Sequence, residues 1–454
     1  MNDTPSNWST DRLAGWTAEL SFGDLPSEVV AKVEDCMLDA IGCAIAGLET
    51  PAALAVTGMA ASCYPTGHST VWFKDAQLNS IGAAYANASA TSALDIDDGH
   101  RLAMGHPGAA VIPTALAIAE TIKADGRDVI AAIVAGYEIA VRLGHAEIRK
   151  PYHTGNWSGF GAAVAAARLM RLDRKQIMHT LAITAYHSPR LTDLTQSKFM
   201  GSDVKESIPW SVVTGMSAAE LAMRGFTGCR DALDLQGRFD PEVIGAGLGD
   251  GFKIMGTYFK KYSVCRWAHT SISGLAEIMR EQGLAAADLK SVSVDTFGQA
   301  AALNNSADPD NIISAQYSLP YTMALAAVYG EDAVSPLTDA MIGMPDAVQL
   351  AQRIAINHAP EMDAHLPSRT PARITVETAD GRFEKTLITA WGDSGGETGR
   401  ADYRAKFCML AGRTLSSAHV DQIIDAVGRI RTGDMQALSR ALFSGVSDAV
   451  RRAV

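Results

Sequence analysis

Features that would place this chain in a specialised protein class are scarce in its 454 residues. The six cysteines include no Cys-x-x-Cys pair, so the sequence predicts neither a zinc ribbon nor a disulfide framework. Basic residues are also in deficit, because 39 Lys and Arg stand against 50 Asp and Glu, for a net charge of −11. This balance disfavours a nucleic-acid partner, since nucleic-acid affinity depends on neutralising phosphates.

Targeting and membrane signals are missing as well. The sequence MNDTPSNWSTDRLAGW at the beginning has no basic region followed by an apolar core, and no apolar run reaches the length of a bilayer span. We therefore expect a cytoplasmic protein with no membrane partner. The glycine-rich run AGLGDGFKIMG, residues 246–256, has no clear strand leading through it into a helix, so a dinucleotide-binding fold is not expected.

Helical patterns dominate the first half of the chain. Residues 27–48, 82–96 and 130–148 carry Ala, Leu and Ile at helical spacing without β-branched alternation. Many of these segments have alanine on nearly every face, and small residues allow helices to approach closely. This pattern predicts helices buried in a large bundle.

The pattern changes after about residue 255. Alternating residues predict a strand at 291–298, and 372–390 predicts a β-hairpin that turns through Ala379, Asp380 and Gly381. A helix is predicted at 320–330, and the pattern returns to helix after residue 401. The expected fold is mainly α: residues 1–257 and 397–454 form an all-α helical bundle, and residues 258–396 form a smaller inserted α+β lid domain.

The segment ALDIDDGHRLAMGHPGAAVIPTALAIAE, residues 93–120, is rich in groups that move protons. It contains the carboxylates Asp95, Asp97 and Asp98 and the imidazoles His100 and His106 just before an apolar helix. Such side chains suit acid and base chemistry near neutral pH. Helix capping is an alternative for Asp97 and Asp98. The spacing matches no metal-ligand pattern, so no metal is expected.

The segment CRWAHTS, residues 265–271, follows a lysine pair and raises the question of an anion site. Arg266 offers a planar fork that fits a carboxylate, and Trp267 could pack behind it. Cys265 lies beside this arginine and near two lysines, which could lower the pKa of its thiol. The alternative is a well-packed turn with no ligand.

Five segments in this order resemble the MmgE/PrpD family, which includes 2-methylcitrate dehydratase, cis-aconitate decarboxylase and iminodisuccinate epimerase. They are LDIDDGH…GHPGAAVIPTALAIAE, PYHTGNWSGFGAAVAAARLM, SDVKESIPWSVVTGMSAAELAMRGFTG, YFKKYSVCRWAH and AQYSLPYTMALA. The resemblance covers roughly residues 10–410. It implies a homodimer that uses neither a metal nor an organic cofactor.

Site residues follow from the resemblance position by position and from the CRWAHTS segment. The catalytic candidates are Asp95, His106, Lys205, Lys260 and Tyr321, and the substrate-binding candidates are His153, Cys265, Arg266 and His269. Each has a structural alternative: the lysines could be solvated, the tyrosine could be a core residue, and the first histidine could belong to a turn.

Two positions depart from the decarboxylase branch of the family. Gly99 stands where that branch has threonine, and Cys265 stands where it has histidine, so decarboxylation of cis-aconitate is disfavoured. The expected activity is that of a lyase which removes an α-proton from a small di- or tricarboxylic acid. Dehydration of a 2-methylcitrate-like hydroxy acid is the favoured reaction. Epimerisation, decarboxylation or carboxylate binding without catalysis are the alternatives. An acid/base pair is expected among Asp95, His106 and His269.

Overall fold

The computed structural model describes residues 8–148, 153–190, 201–234 and 237–443. In these ranges the α-helices are α1 Ser9–Glu19, α2 Ser27–Gly47, α3 Pro51–Cys63, α4 Ser80–Ser92, α5 Gly108–Ile122, α6 Gly126–Ala146, α7 Gly155–Leu169, α8 Arg174–His187, α9 Ile208–Met223, α10 Pro241–Gly245, α11 His269–Gln282, α12 Gly298–Ala301, α13 Ile312–Gln316, α14 Leu319–Tyr329, α15 Pro345–Ala351, α16 Pro360–Asp363, α17 Arg400–Ala411, α18 Ser417–Arg429 and α19 Gln436–Phe443. The strands are β1 Ser69–Val71, β2 Ala76–Leu78, β3 Gly99–His100, β4 Thr257–Tyr258, β5 Ser291–Thr296, β6 Ile354–His358, β7 Ala372–Glu377 and β8 Arg382–Leu387. The mainly α fold is confirmed.

Small residues let the central helices pack closely, as the alanine-rich pattern predicts. A Cβ atom added to Gly215 of α9 would lie 2.3 Å from the carbonyl oxygen of Gly159 in α7. One added to Gly161 would lie 2.8 Å from the carbonyl oxygen of Gly136 in α6. These helices therefore cross with their backbones nearly in contact.

Helix α6 is longer and more apolar than the sequence prediction allowed. It has 21 residues and is long and apolar enough to cross a membrane, contrary to the expectation that no run reaches this length. The most apolar part of this helix is, however, 94% buried inside the protein. A buried core helix and a bilayer span can have the same length and composition, so these two properties do not tell them apart.

The mixed segment contains a four-stranded sheet in the order β6-β5-β7-β8. Strand β5 pairs with β6 in parallel and with β7 antiparallel, and β7 and β8 form the predicted hairpin. Helix α11 packs on this sheet, where Ile374 of β7 lies 2.4 Å from a Cβ added to Gly274. The hairpin and the strand at 291–298 are thus confirmed.

Two large apolar cores account for most of the buried apolar residues in the described chain, beside two small clusters of four and three residues. The first contains residues from Leu13 to Phe259 and from Phe407 to Leu442, and the second contains residues from Tyr262 to Val376. The C-terminal helices therefore return to the first core. The domain boundaries at 258 and 396 and the role of a lid stay predictions.

A short strand pair joins two distant parts of the chain next to the carboxylate-rich segment. Gly99 pairs with Tyr258, and His100 pairs with Thr257, in the antiparallel ladder of β3 and β4. The loop after α4 is thereby fixed beside the residues that lead to Lys260. This contact positions the site described next.

Candidate active site

The predicted helix over 82–96 ends early, at Ser92, and the residues after it form a loop that carries Asp95. Asp95 has a positive φ of 52°, and Lys205, on a separate loop before α9, has a positive φ of 46°. Such conformations strain residues other than glycine by about 1–3 kcal/mol and persist only where surrounding contacts enforce them. The two strained residues contact each other.

Asp95 is held between two lysines in the protein interior. One carboxylate oxygen, Oδ1, lies 3.0 Å from Lys205 Nζ, and the other, Oδ2, lies 2.9 Å from Lys260 Nζ. Burial alone would raise the pKa of Asp95, but the two ammonium groups outweigh it and hold this pKa well below its ordinary value. Asp95 is therefore a fixed anion that orients two cations.

His106 lies among carboxylates on both edges of its ring. Its Nε2 is 3.4 Å from Asp95 Oδ1 and 3.9 Å from Glu206 Oε1, and its Nδ1 is 3.3 Å from Asp97 Oδ2. The same Nδ1 is 2.8 Å from the carbonyl oxygen of Asp98. Burial opposes the charged imidazolium, but Asp97 and Glu206 outweigh burial and raise the pKa of His106 to about 9. His106 is therefore protonated at neutral pH.

Glu206 completes the cluster and was not singled out from the sequence. Its Oε2 accepts hydrogen bonds from the hydroxyl and the backbone N–H of Thr154, and its Oε1 accepts one from the Tyr317 hydroxyl at 3.2 Å. Its position next to Lys205 in the sequence was the available signal. We call the set Asp95, Asp97, His106, Lys205, Glu206 and Lys260 the Asp95 cluster.

Asp98 and a second buried ion pair hold the loop of Asp95 in place. Asp98 accepts a hydrogen bond from Gly108 N at 3.0 Å, at the start of α5, and one from the Tyr137 hydroxyl at 2.5 Å. Lys406 of α17 donates to the Ile96 carbonyl at 2.6 Å and to Asp39 at 2.5 Å. Asp98 thus accepts from the first backbone N–H of α5 without being its N-cap residue, which is Pro107, whereas Asp97 contacts His106.

The other two histidine candidates are neutral. Burial lowers the pKa of His153, with Glu206 opposing the shift. Burial and then the charges of Arg266 and Lys260 lower the pKa of His269 well below its ordinary value. Both imidazoles are therefore neutral at neutral pH, and the same environment weakens them as bases.

The guanidinium of Arg266 is buried and already bonded. Its Nη2 lies 2.7 Å from Asp393 Oδ1, and its Nη1 donates to the carbonyls of Phe259 at 3.0 Å and Trp391 at 2.8 Å. The guanidinium group that was predicted to bind a substrate carboxylate thus binds protein groups instead. Cys265 is buried and forms no disulfide, and its backbone N–H donates to the Gln316 carbonyl at 2.8 Å.

Tyr321 lies apart from the Asp95 cluster. Its hydroxyl donates to the Met341 carbonyl at 2.5 Å, in the second apolar core. The tyrosine that reaches the cluster is Tyr317, which precedes the Ser318 cap of α14.

A metal ion fits the Asp95 cluster poorly. Ligand atoms of Asp95, Asp97 and His106 lie within 4.8 Å of one another, as a metal site requires. Both carboxylate oxygens of Asp95 nevertheless face a lysine ammonium group. A divalent cation there would be repelled by both lysines and would have to displace the imidazolium proton.

The ring of Tyr258 leaves no space for a side chain at position 99, which explains the glycine there. A Cβ atom at position 99 would lie 2.4 Å from both the Cζ atom and the hydroxyl oxygen of Tyr258, which is a buried residue. The threonine of the decarboxylase branch therefore cannot occupy this position while Tyr258 keeps its place.

We expect Gly99→Ala to destabilise the protein by about 1–3 kcal/mol through overpacking. Adding Tyr258→Ala to Gly99→Ala removes the clash, so this double variant is expected to be more stable than the sum of the single effects. Thermal unfolding of the three variants measures this coupling. A Gly99→Ala protein with wild-type Tm would contradict the packing argument.

The Asp95 cluster combines a proton donor with fixed positive charge. Asp95, Asp97 and Glu206 provide three carboxylates, and Lys205, Lys260 and His106 provide three basic groups. Such a site can stabilise a negative charge that develops on a substrate and can transfer a proton to it.

The chain is similar in sequence to several proteins named for cis-aconitate decarboxylase. The chain is 24% identical to cis-aconitate decarboxylase of Aspergillus terreus over 409 residues, covering 82% of this chain and 83% of the relative. It is 25% identical to cis-aconitate decarboxylase of Homo sapiens over 470 residues, covering 96% and 95%. The cis-aconitate decarboxylase-like protein oryM of Aspergillus oryzae is 22% identical over 482 residues, covering 98% and 99%.

Family models cover both apolar cores. The MmgE/PrpD N-terminal domain matches residues 11–245, and the MmgE/PrpD C-terminal domain matches residues 262–430. The first match alone spans more than half of the chain. The chain therefore belongs to the MmgE/PrpD family, as the five sequence segments predict.

Proposed function

We propose that this protein is a cofactor-independent lyase that removes an α-proton from a small di- or tricarboxylic acid. The observation that carries the proposal is the placement of Lys205 and Lys260 on the two oxygens of one buried carboxylate, beside a protonated His106. Removing a proton next to a carboxylate forms an enolate-like dianion. Cations that are already oriented stabilise such a charge without further reorganisation.

His106 is the proposed general acid. It holds a proton at neutral pH and can deliver it to a departing hydroxyl group or to a carbanion. Asp95 is a weak base because two lysines stabilise its anion. His153 and His269 are neutral and each presents a basic ring nitrogen, but their lowered pKa values make both of them weak bases as well.

The charge on His106 predicts the alkaline limit of activity. Its pKa is raised from 6.5 to about 9, so the active protonated form persists below about pH 9 and is lost above it. We expect kcat/KM to fall above pH 9, tending to about tenfold per pH unit. Rate measurements from pH 6 to 10.5 test this, and a rate unchanged up to pH 10.5 would count against His106 as the acid.

Access to the cluster requires motion of the surrounding protein. Asp95 and Lys260 have no exposed surface, so a substrate reaches them only after neighbouring segments move apart. This need supports the lid role proposed for residues 258–396. The closed arrangement would then exclude water while the dianion exists.

Dehydration of a 2-methylcitrate-like hydroxy acid is the first candidate reaction. Decarboxylation is the second, favoured by three relatives named for cis-aconitate decarboxylase. Gly99 and Cys265 lack the hydroxyl and the imidazole that the decarboxylase branch has there, which supports dehydration. An epimerase would use the same carbanion but return the proton to the opposite face.

Product analysis separates these reactions. We would incubate the purified protein with 2-methylcitrate, cis-aconitate and iminodisuccinate and follow the products by NMR. Loss of water from the hydroxy acid is the expected result, whereas release of carbon dioxide or inversion of one carbon identifies the alternatives. Saturable binding of these acids without turnover of any would overturn the proposal in favour of a carboxylate-binding protein.

A further inference from the structure

A small cavity lies beside the Asp95 cluster, between the loop after β3 and segments of the second core. Its volume is about 240 Å³. The lining residues that matter here are Arg101, Tyr258, Arg266, Trp267, Gln299 and Thr370. This volume is below the roughly 300–1,000 Å³ of sites for drug-sized ligands and suits part of a small acid. We call it the arginine cavity.

The wall of the arginine cavity carries an excess of positive charge. Arg101 and Arg266 both form an ion pair with the same oxygen of Asp393, so one carboxylate faces two guanidinium groups. No Asp or Glu occurs among the residues of the described ranges that line the cavity. The Nε atom of Arg266 is buried without a hydrogen-bond partner in the described part of the chain. An uncompensated buried charge of this kind favours an anionic ligand.

Arg101 is better placed than Arg266 to contact a ligand. The Arg266 side chain is only 2% exposed, and its terminal nitrogens are bonded to Asp393 and to backbone carbonyls. The Arg101 side chain is 10% exposed, and among the described residues its one hydrogen-bond partner besides Asp393 is the Thr370 hydroxyl, at 3.4 Å. Arg266 thus supplies charge, and Arg101 can supply the contact.

Tyr258 and His269 interact electrostatically both with Arg266 of this cavity and with Asp95 of the cluster. The guanidinium carbon atoms of Arg101 and Arg266 are 5.2 and 4.7 Å from the Tyr258 ring centroid. The charges of these arginines and of Asp95 all act on the Tyr258 hydroxyl. The Nη1 atom of Arg266 is also 3.5 Å from His269 Nδ1. Arg266 Nη1 also donates to the carbonyl of Phe259, the residue before Lys260, so the cavity and the Asp95 cluster are neighbours.

We propose that the arginine cavity binds a remote carboxylate of the substrate, with Arg101 as the contact residue and Arg266 as the buried source of charge. The inference rests on the proposed function, because it takes the reacting end of the same molecule to lie at the Asp95 cluster. It narrows the substrate class to acids that carry a carboxylate in addition to the groups bound at the Asp95 cluster. Such an acid is expected to bind more tightly than a shorter dicarboxylate. Arg101 is then a residue that determines specificity.

Calorimetric titration with two unreactive acids tests the proposal. The probes are tricarballylate, which has three carboxylates, and succinate, which has two. Arg101→Gln is expected to weaken tricarballylate binding by about tenfold or more, the value of one charge-assisted contact, and succinate binding by less than about threefold. Arg382→Gln, which removes a charge from an exposed site on β8, is the control and leaves both affinities unchanged. Unchanged tricarballylate affinity in Arg101→Gln, or an equal loss for both acids, would overturn the subsite.

A second variant shifts affinity in the opposite direction, which a folding defect cannot imitate. Asp393→Asn removes the carboxylate that neutralises the arginines and is expected to strengthen tricarballylate binding by severalfold. If Arg101→Gln does not fold, the absence of any gain in Asp393→Asn overturns the proposal. The proposed function fails separately, because it depends on turnover: a protein that turns over none of the tested acids but shows both affinity shifts keeps the subsite.

Discussion

Replacing Lys205 with methionine is expected to lower kcat/KM about 10²–10³-fold, the loss measured when an enzyme loses one group that stabilises a developing anion. Methionine keeps most of the volume of the lysine but removes its ammonium group. Asp95 then keeps Lys260 at 2.9 Å on one oxygen, and its other oxygen loses its lysine. Of the two lysine ammonium groups, only that of Lys260 would remain to stabilise the dianion when it forms.

The control is Lys175→Met, which removes the same charge from an exposed position on α8. Its kcat/KM should equal that of the wild type. Thermal unfolding of both variants shows whether any loss of rate follows from misfolding. A Lys205→Met protein that is folded and within about threefold of wild-type kcat/KM would refute the role of Lys205.

Replacing Asp95 with asparagine is expected to cost about 3–5 kcal/mol of stability, because it leaves two buried ammonium groups and an imidazolium without their common anion. Asparagine has nearly the same shape, so the loss comes from charge rather than from packing. The Lys205 and Lys260 ammonium groups have little solvent to replace the carboxylate, since both residues are buried. The measurement is the Tm of the folded protein near pH 7.

A second substitution tests the cause of this loss. Adding Lys260→Met to Asp95→Asn removes one of the orphaned charges and should recover part of the Tm. The recovery distinguishes electrostatics from a disturbed loop, which the second change cannot repair. A Tm of Asp95→Asn equal to that of the wild type would show that the buried ion pairs contribute nothing.

The sequence predicts which residues form the site better than it predicts the side chains that contact them. Asp95, His106, Lys205 and Lys260 come from four separated segments, and the structure brings them together. Glu206 could be found only through its neighbour Lys205, since its contacts to Thr154 and Tyr317 depend on how α7 and α14 pack. Single-sequence patterns carry no record of such tertiary contacts.

Arg266 and Tyr321 show why local sequence is insufficient for side-chain roles. The carboxylate that pairs with Arg266 belongs to Asp393, which is 127 residues further along the chain. The Ser318 side chain caps α14 by accepting a hydrogen bond from Tyr321 N, so Tyr317 lies outside the helix and Tyr321 lies inside it. A shift of four residues therefore decides which tyrosine reaches Glu206.

The most direct test of the account is exchange of the α-proton for deuterium, because it isolates formation of the carbanion from the later loss of water. The wild-type protein and Lys205→Met would be incubated with 2-methylcitrate in heavy water, and the signals of the protons next to the carboxylates would be followed by NMR. We predict enzyme-dependent exchange with the wild type and none above background with Lys205→Met. Equal exchange in the two proteins would contradict the claim that paired lysines in the Asp95 cluster stabilise the dianion.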